Sequence, residues 1–271
     1  MNNQFVGDIG DYTKLGLLRE LEWSGFSIGI NWYLTPDVSR KTGGGHTGYL
    51  DERKCGEKER NKPDPDLVNL LRSIRVYPKT RSQSVDSLMD AFDRCSTKDY
   101  RKKMEFTDTK YTIREQRESW HKDALNALST QKIVFLDPDN ALQAGINPYD
   151  NREGHLYASY QEVADYYKAG TSVIVYNHLP IKSKKQSFIK TRLCPMLSPK
   201  FININANDVF CLEAPRRSVR FYLILAQLKH SERIRYVIRK MLEHDDPGWR
   251  SFLEDKSKWL RATLGDISSP N

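Results

Sequence analysis

The sequence predicts an α/β fold in which helices cover both faces of a doubly wound, mostly parallel sheet that ends in a closing antiparallel strand. Apolar runs of strand length alternate with longer segments whose apolar residues recur at helical spacing. Near the end of the chain, two strand-like runs follow each other directly, which predicts a hairpin-like edge. The 271 residues suit one large domain, and we place it at 1–265.

The elements of the first half follow from apolar spacing and from the residues that interrupt it. Leu15, Leu18 and Leu21 lie on one face of a helix that Ser24-Gly25 ends. The predicted elements are helices over 11–22, 67–74, 84–92 and 120–128 and a strand over 28–34. We also expect an exposed charged insertion near 51–66 and a polar helical insertion near 78–115.

The second half alternates more regularly. Ser159 and Glu162 have the spacing of a capping box at a helix start, and Gly170 ends that helix. The predicted strands are 132–136, 171–179, 209–213 and 219–226, and the predicted helices are 159–169, 182–192, 234–242 and 249–259. Residues 266–271 are expected to form a flexible tail.

A polar cluster follows the most apolar strand. The run Ile133–Leu136 is typical of a strand buried on both faces, and Pro138 cannot continue a sheet ladder. Asp137, Asp139 and Asn140 are therefore expected at the carboxyl end of a central strand, where open α/β sheets bind ligands. His178 lies near the carboxyl end of the next predicted strand, as a site histidine or a hydrogen-bonded structural one. We predict these four residues as the catalytic group.

Three roles for the cluster remain open. The oxygens of Asp137 and Asn140 can hold the exocyclic amine of a base, which is mainly a positioning task for methyl transfer. Asp137 and Asp139 can bind Mg²⁺, as a nuclease or phosphoryl-transfer enzyme would require. Alternatively, these side chains satisfy only the amides of their own turn.

Two further segments are candidates for ligand binding. Gly7–Lys14 suits a tight turn before a helix, in which Lys14 lies against the helix dipole. Lys14 is therefore expected to face a carboxylate or to be a solvated surface charge. The glycines Gly43, Gly44 and Gly45 could let the backbone approach a cofactor, or they could form a plain loop.

The charge balance favours a polyanionic partner. Lys and Arg number 43 against 35 Asp and Glu, which gives a net charge of +8 and a pI near 9.2. We therefore predict a nucleic-acid partner, with DNA and RNA equally open. The predicted contact residues are Lys182, Lys184, Lys185, Lys190, Arg192, Arg216 and Arg217.

Composition also bears on location. No apolar run approaches the roughly 20 residues of a membrane helix, so no membrane partner is expected. The four cysteines, Cys55, Cys95, Cys194 and Cys211, are scattered and lack paired metal spacing. We therefore expect a cytoplasmic protein with reduced thiols.

The order of these motifs resembles the ribosomal RNA large-subunit adenine N6-methyltransferase family and, more loosely, three-cysteine-motif partner proteins. The similar segments are Gly7–Lys14, Trp32–Asp37 with Gly43–Gly45, Asp137–Asn140, Val173–His178 and the closing elements from Val209 to Leu242. Asp139-Asn140 stands where the family has Pro-Tyr. The similar segments occur in the same order over most of the chain, but each is short and degenerate.

The resemblance implies a class I S-adenosylmethionine methyltransferase-like fold and that cofactor. The residues it assigns to the cofactor are Asp8, Lys14, Thr35, Asp37, Gly43, Gly44 and Gly45. Our first functional hypothesis is therefore a methyltransferase-like protein that acts on the amine of a nucleic-acid base. The alternatives are a metal-dependent nuclease using Asp137 and Asp139, or a non-catalytic binding or partner module on the same scaffold.

Overall fold

The fold comes from a computed structural model that describes residues 6–34, 46–51, 62–75, 84–89, 97–102, 110–145, 147–180, 183–198, 200–216, 218–243 and 248–268. The helices are α1 Ile9–Trp23, α2 Pro65–Arg75, α3 Val85–Met89, α4 Lys110–Ala127, α5 Tyr160–Lys168, α6 Lys185–Met196, α7 Leu228–Glu243 and α8 Ser257–Ser268. The strands are β1 Ile28–Trp32, β2 Lys98–Tyr100, β3 Ile133–Asp137, β4 Ala141–Leu142, β5 Tyr157–Ala158, β6 Ser172–His178, β7 Val209–Ala214, β8 Arg220–Leu225 and β9 Glu254–Asp255.

One seven-stranded sheet organises the molecule, in the order β2-β1-β3-β6-β8-β7-β9. The strands β2, β1, β3 and β6 pair in parallel, whereas β8 is antiparallel to both of its neighbours, β6 and β7. The strand β7 therefore runs in the same direction as β6, and only β8 and β9 in this sheet run the other way. The predicted doubly wound, mostly parallel sheet with a closing antiparallel strand is confirmed.

Helices pack on both faces of the sheet and create two cores. Along β3, Ile133 and Phe135 face the core under α1, α2 and α7, while Val134 and Leu136 face the core under α5, α6 and α8. This alternation follows from the two-residue period of a strand. It explains why a strand in this position has a continuous apolar sequence.

A buried ion pair fastens α4 to α5 at one face of the sheet. Arg117 and Glu162 have fully buried side chains, and their charged groups meet at 2.7 Å. Arg117 also donates to the carbonyl oxygens of Gly154 at 2.8 Å and Tyr157 at 2.7 Å. Glu162 additionally accepts from the Tyr33 hydroxyl at 2.9 Å and completes the predicted capping box with Ser159. Burial opposes ionisation of Glu162, but Arg117 outweighs it and lowers the pKa to about 2.

Some predicted elements differ from the structure. The helix predicted over 249–259 is wrong: Trp249–Ser251 is one 3-10 turn, Glu254–Asp255 pairs with β7, and α8 begins only at Ser257. That helix continues to Ser268, into the predicted tail. Within the predicted polar insertion near 78–115, residues 98–100 form β2 and belong to the sheet. Most of the predicted 51–66 insertion lies outside the described residues.

None of the helices in the described part of the chain is both long and apolar enough to cross a bilayer.

Candidate functional site

The start of α1 meets the carboxyl end of β3. Asp8 caps α1, and its side chain accepts hydrogen bonds from the backbone amides of Gly10 at 2.7 Å and Asp11 at 3.1 Å. This cap satisfies two of the amides that a helix start leaves unpaired. One turn further along, Lys14 points from α1 toward the end of β3.

Lys14 forms the centre of a buried charge cluster. Its Nζ lies 2.9 Å from the Asp137 carboxylate and 3.1 Å from Oδ1 of Asp11. The three residues are only 2–4% exposed. Lys14 thus faces carboxylates, which is one of the two environments that the sequence predicts for it. Burial disfavours its ammonium, but Asp137 and Asp11 outweigh this and raise the pKa of Lys14 above its ordinary value.

Two aromatic rings complete the surroundings of this ammonium. Lys14 Nζ lies 5.4 Å from the ring centroid of Trp32 and 5.3 Å from that of Tyr176. Trp32 ends β1 directly beside Asp137 in the parallel register, and Tyr176 comes from β6. Aromatic faces attract cations, especially where water is excluded. The cluster is thus built by α1 and three adjacent strands.

Arg220, the first residue of β8, connects this cluster to the closing strand, and the sequence reasoning missed it. Its Nη2 lies 2.9 Å from Oδ2 of Asp8. A Cβ on Gly10 would lie 2.5 Å from Arg220 Nε, so the arginine packs where only glycine leaves room. Next on β8, the Tyr222 hydroxyl lies 2.7 Å from Thr13 Oγ1. An arginine directly before an apolar strand was the only sequence signal.

The turn after β3 is joined to the end of β6. The backbone amide of Asn140 donates to the Leu156 carbonyl at 2.9 Å, and its carbonyl accepts from the His178 amide at 2.7 Å. Asp139, Asn140 and His178 are all half-buried. Burial, followed by the charge of Arg220, lowers the pKa of His178, so its imidazole is neutral at physiological pH. The structure therefore brings the four predicted catalytic residues to one edge of the sheet.

The cluster carries an excess of acid. Asp8, Asp11 and Asp137 face the two cations Lys14 and Arg220. Burial is the largest influence on Asp11 and raises its pKa to about 6, with Asp8 and Asp137 acting in the same direction. Lys14 and the amide of Gly7, which donates to Asp11 at 2.8 Å, oppose that rise.

The titration of Asp11 predicts a pH dependence of stability. Its folded pKa of about 6 exceeds the ordinary 3.8, so the folded state binds more protons between these values. The contribution of Asp11 to the free energy of unfolding should therefore fall as pH rises from about 4 to 6, by at most about 1.4 kcal/mol per pH unit. Urea unfolding of wild type and Asp11→Asn across this range measures it: the variant should gain stability relative to wild type as pH rises. A difference that is constant with pH would contradict the assignment.

Some of the predicted nucleic-acid residues contact other parts of the protein, and others are at least partly exposed. Arg216 donates through Nε to the Ser251 carbonyl at 2.8 Å, Arg192 stacks 4.0 Å from the Phe188 ring centroid, and Lys185 pairs with Glu213. Lys184, at the start of α6, is exposed, and Lys190 is half-buried. Because α6 follows β6 and Arg216 follows β7, Lys184, Lys185 and Arg216 lie at the same sheet edge as Asp139.

Several predicted site residues lie outside the described residues. They are Thr35, Asp37, Gly43, Gly44 and Gly45 of the predicted cofactor segment and Lys182 and Arg217 of the predicted nucleic-acid group. Of the residues assigned to the cofactor, Asp8 and Lys14 are described, and both are bound to protein side chains of opposite charge.

The described residues contain no group of three or more His, Cys, Asp or Glu side chains arranged to hold a metal ion. Asp137, one of the two predicted Mg²⁺ ligands, is instead paired with Lys14. No observation among the described residues therefore favours the nuclease alternative.

Comparisons with known protein families and with curated protein sequences give no match for this chain. Among solved structures, the chain is similar to the crystal structure of a Legionella pneumophila protein of the family DUF519. The two share 11% identity with a TM-score of 0.47, over 93% of this chain and 96% of the other. A likeness this distant carries no inference about activity.

Proposed function

We propose that this protein is an S-adenosylmethionine-dependent methyltransferase-like protein that acts on the amine of a nucleic-acid base. The observation that supports this proposal most directly is the position of Asp137. It ends a central strand of a doubly wound sheet, is held by Lys14, and leads directly into the half-buried turn Asp139-Asn140. Ligands of open α/β sheets bind outside such strand ends.

The burial of Asp137, Asp139 and Asn140 suggests a different role for Asp137 than for the other two residues. Asp137 is 2% exposed and engaged by Lys14, so its proposed role is to fix the end of β3. Asp139 and Asn140 are half-buried and can reach a ligand at the sheet edge. Their side-chain oxygens would accept the N–H donors of the amine and hold it in one orientation. Such positioning is the main task in transfer to an amine.

The surroundings of Lys14 bear on the cofactor. When bound, S-adenosylmethionine supplies an electrophilic methyl group on a positively charged sulfonium. Asp11, Asp137 and the rings of Trp32 and Tyr176 already surround the ammonium of Lys14. The half-buried carboxylate of Asp139 at the same edge would therefore face the positive charge of the sulfonium. Asp8, at the start of α1, lies at this same edge. The exposed Lys184, also at this edge, suits a phosphate backbone.

Asp139→Asn and Asn140→Ala test the proposal. We expect both to reduce methyl transfer from S-adenosylmethionine to a nucleic-acid substrate by roughly 100-fold or more, the scale of about 3 kcal/mol of lost positioning. Cofactor affinity, measured by calorimetry with S-adenosylmethionine and its demethylated product, should change little. The assay follows transfer of a labelled methyl group to mixed DNA and RNA.

Asp123→Asn on α4 is the matched control, because that side chain is 47% exposed and lies late in the helix before β3, toward the end of the sheet away from Asp139. It should keep wild-type transfer. Wild-type protein that binds neither form of the cofactor at millimolar concentration would refute the proposal. Cleavage of nucleic acid in Mg²⁺ or Mn²⁺ that Asp139→Asn abolishes would instead favour the nuclease alternative.

A further inference from the structure

The outer face of α7 carries a row of cations around an exposed aromatic ring. Lys229, Arg233, Tyr236 and Lys240 occur at spacings of four, three and four residues, which places them on one side of the helix. All four are exposed, and Tyr236 is 53% exposed, one of the few large apolar side chains on the described surface. At 1.5 Å per residue the row is about 16 Å long. We call these four residues the α7 row.

The cations of the α7 row are directed to solvent more than to protein acids. The ion pairs found on this helix join Arg235 to Glu232 and Arg239 to Glu243. Among the described residues, no salt bridge engages Lys229, Arg233 or Lys240. Arg233 is steadied by the ring of Phe26, 5.4 Å from its guanidinium carbon. With Arg235 and Arg239, the exposed side of α7 carries five cations against two acids, Glu232 and Glu243, so its net charge is positive.

A groove runs beside the second half of the row. It has a volume of about 410 Å³ and is lined by Tyr236, Arg239, Lys240 and Glu243. The four described lining residues all belong to α7, so this is an open depression beside Tyr236, bordered by the cations Arg239 and Lys240 and by the acid Glu243. A base that stacks on this ring would have Lys240 as the cation for its phosphate, because Arg239 pairs with Glu243.

The other side of α7 excludes one explanation for a basic amphipathic helix. Helices that bind at a membrane surface insert their apolar face between the lipids. Here Ile234, Val237, Ile238 and Met241 are at most 3% exposed and belong to the core between α7 and the sheet. This apolar face is already used within the protein, and the exposed side of α7 is mostly basic, with Tyr236 and the first residue, Leu228, as its large apolar side chains.

From this arrangement we propose that the α7 row is a binding surface for single-stranded nucleic acid. Cations along one line match the repeating negative charge of a phosphate backbone, and an exposed tyrosine among them offers a base a face on which to stack. In a duplex the bases already stack on one another, so no base face would be available to stack on the ring of Tyr236. The proposal rests on the nucleic-acid part of the proposed function, but it concerns a different surface from the sheet edge around Asp139.

The start of α7 lies away from that edge. The helix follows β8, which runs opposite to the parallel strands, so α7 begins at the end of the sheet away from Asp137. The close approach of Arg233 to Gly25, just before β1, agrees with this. A strand bound along the α7 row would lie on the outer side of a helix that covers one face of the sheet, which is a different surface from the edge around Asp139.

The test uses the full chain and a fluorescent oligothymidine or oligouridine of about 12 nucleotides, within the range of site sizes of single-strand-binding domains. Anisotropy titrations at several salt concentrations give affinity and salt slope. Replacing Lys229, Arg233 and Lys240 together with Gln should weaken binding about tenfold or more at low salt. It should also reduce the salt slope by about 0.7 for each phosphate that the variant no longer neutralises. Tyr236→Ala should weaken binding roughly tenfold, whereas Tyr236→Phe should retain it.

A charge-matched triple variant is the control. Lys122, Lys168 and Lys258 are exposed on other helices, and their replacement with Gln removes the same charge from a different surface. This control should bind nearly as wild type, and thermal unfolding should show that every variant folds. Equal weakening in the two triple variants would overturn the proposal, since it would reflect overall charge alone. Equal competition by polyglutamate, or preference for a duplex of the same length, would also overturn it.

Failure here is distinguishable from failure of the proposed function. Wild-type binding that survives removal of the α7 row overturns this surface but leaves the sheet edge as the nucleic-acid site. No binding of any single strand by wild type also overturns the α7 proposal, while cofactor titration still decides the methyltransferase assignment independently.

Discussion

Arg117→Leu is expected to reduce the free energy of unfolding by about 3–5 kcal/mol, because it leaves the carboxylate of Glu162 buried without its counter-charge. Both side chains are fully buried, and the Glu162 carboxylate also accepts from the Tyr33 hydroxyl and from the Ser159 backbone amide. The variant also leaves the carbonyls of Gly154 and Tyr157 without their donor. Urea denaturation measures the change.

Arg114→Ala is the matched control, about one turn earlier on α4. Its partner Asp150 lies at 2.7 Å, but the Arg114 side chain is 48% exposed, and ion pairs open to water contribute little. Its stability should stay close to wild type. If the two variants were equally stable, the buried pair would not be holding α4 to α5. A double variant, Arg117→Leu with Glu162→Leu, should recover part of the stability since no charge is then left buried.

Lys14→Met should destabilise the protein by a similar amount, about 3–5 kcal/mol at pH 8, since Asp11 and Asp137 would then face each other in a buried site without a cation. Protonation of the carboxylates relieves that repulsion. The deficit relative to wild type should therefore shrink as pH falls toward 5, because the pKa of Asp11 is already raised by burial with lysine present.

The comparison for Lys14→Met is Lys102→Met. Lys102 also pairs with an aspartate, Asp123 at 3.0 Å, but both side chains are largely exposed. We expect only a small change in its stability and no pH dependence of that change between pH 5 and 8. A deficit in Lys14→Met that stays constant over this range would show that poorer packing, and not unpaired charge, accounts for the effect.

Local sequence signals predicted most of the fold. The capping box at Ser159, the buried run at β3 and the antiparallel closing pair all depend on neighbouring residues, and each is present in the structure. The strands that were missed depend on distant partners instead. β2 is three polar residues at an edge, and β9 is two acidic residues that become a strand only by pairing with β7. Helical spacing around Trp249 predicted a helix there, but this strand pairing interrupts it.

The site shows the same division. Asp137 and Lys14 could each be named from the sequence, because one ends an apolar strand and the other opposes a helix dipole. Their contact joins residues 123 positions apart and follows only once α1 is placed beside β3. The pairing of Asp8 with Arg220 spans 212 positions and has no signature in residue spacing. Local sequence thus predicts which charged residues belong to the site, while the order of the helices and strands decides which of them pair.

The location of β8 ties the order of chain synthesis to the completion of the site. This strand lies between β6 and β7, and β7 joins the sheet through β8 and β9, so the sheet is completed only when β8 pairs with β6. Contacts between residues this far apart in sequence form late and slow folding. Arg220 and Tyr222 belong to that strand. Arg220 forms a salt bridge with Asp8, which caps α1, and Tyr222 forms a hydrogen bond with Thr13 of α1. During synthesis, Asp8 at the start of α1 therefore lacks its partner Arg220 until most of the chain has been made. The charged site is completed in the same step that completes the sheet.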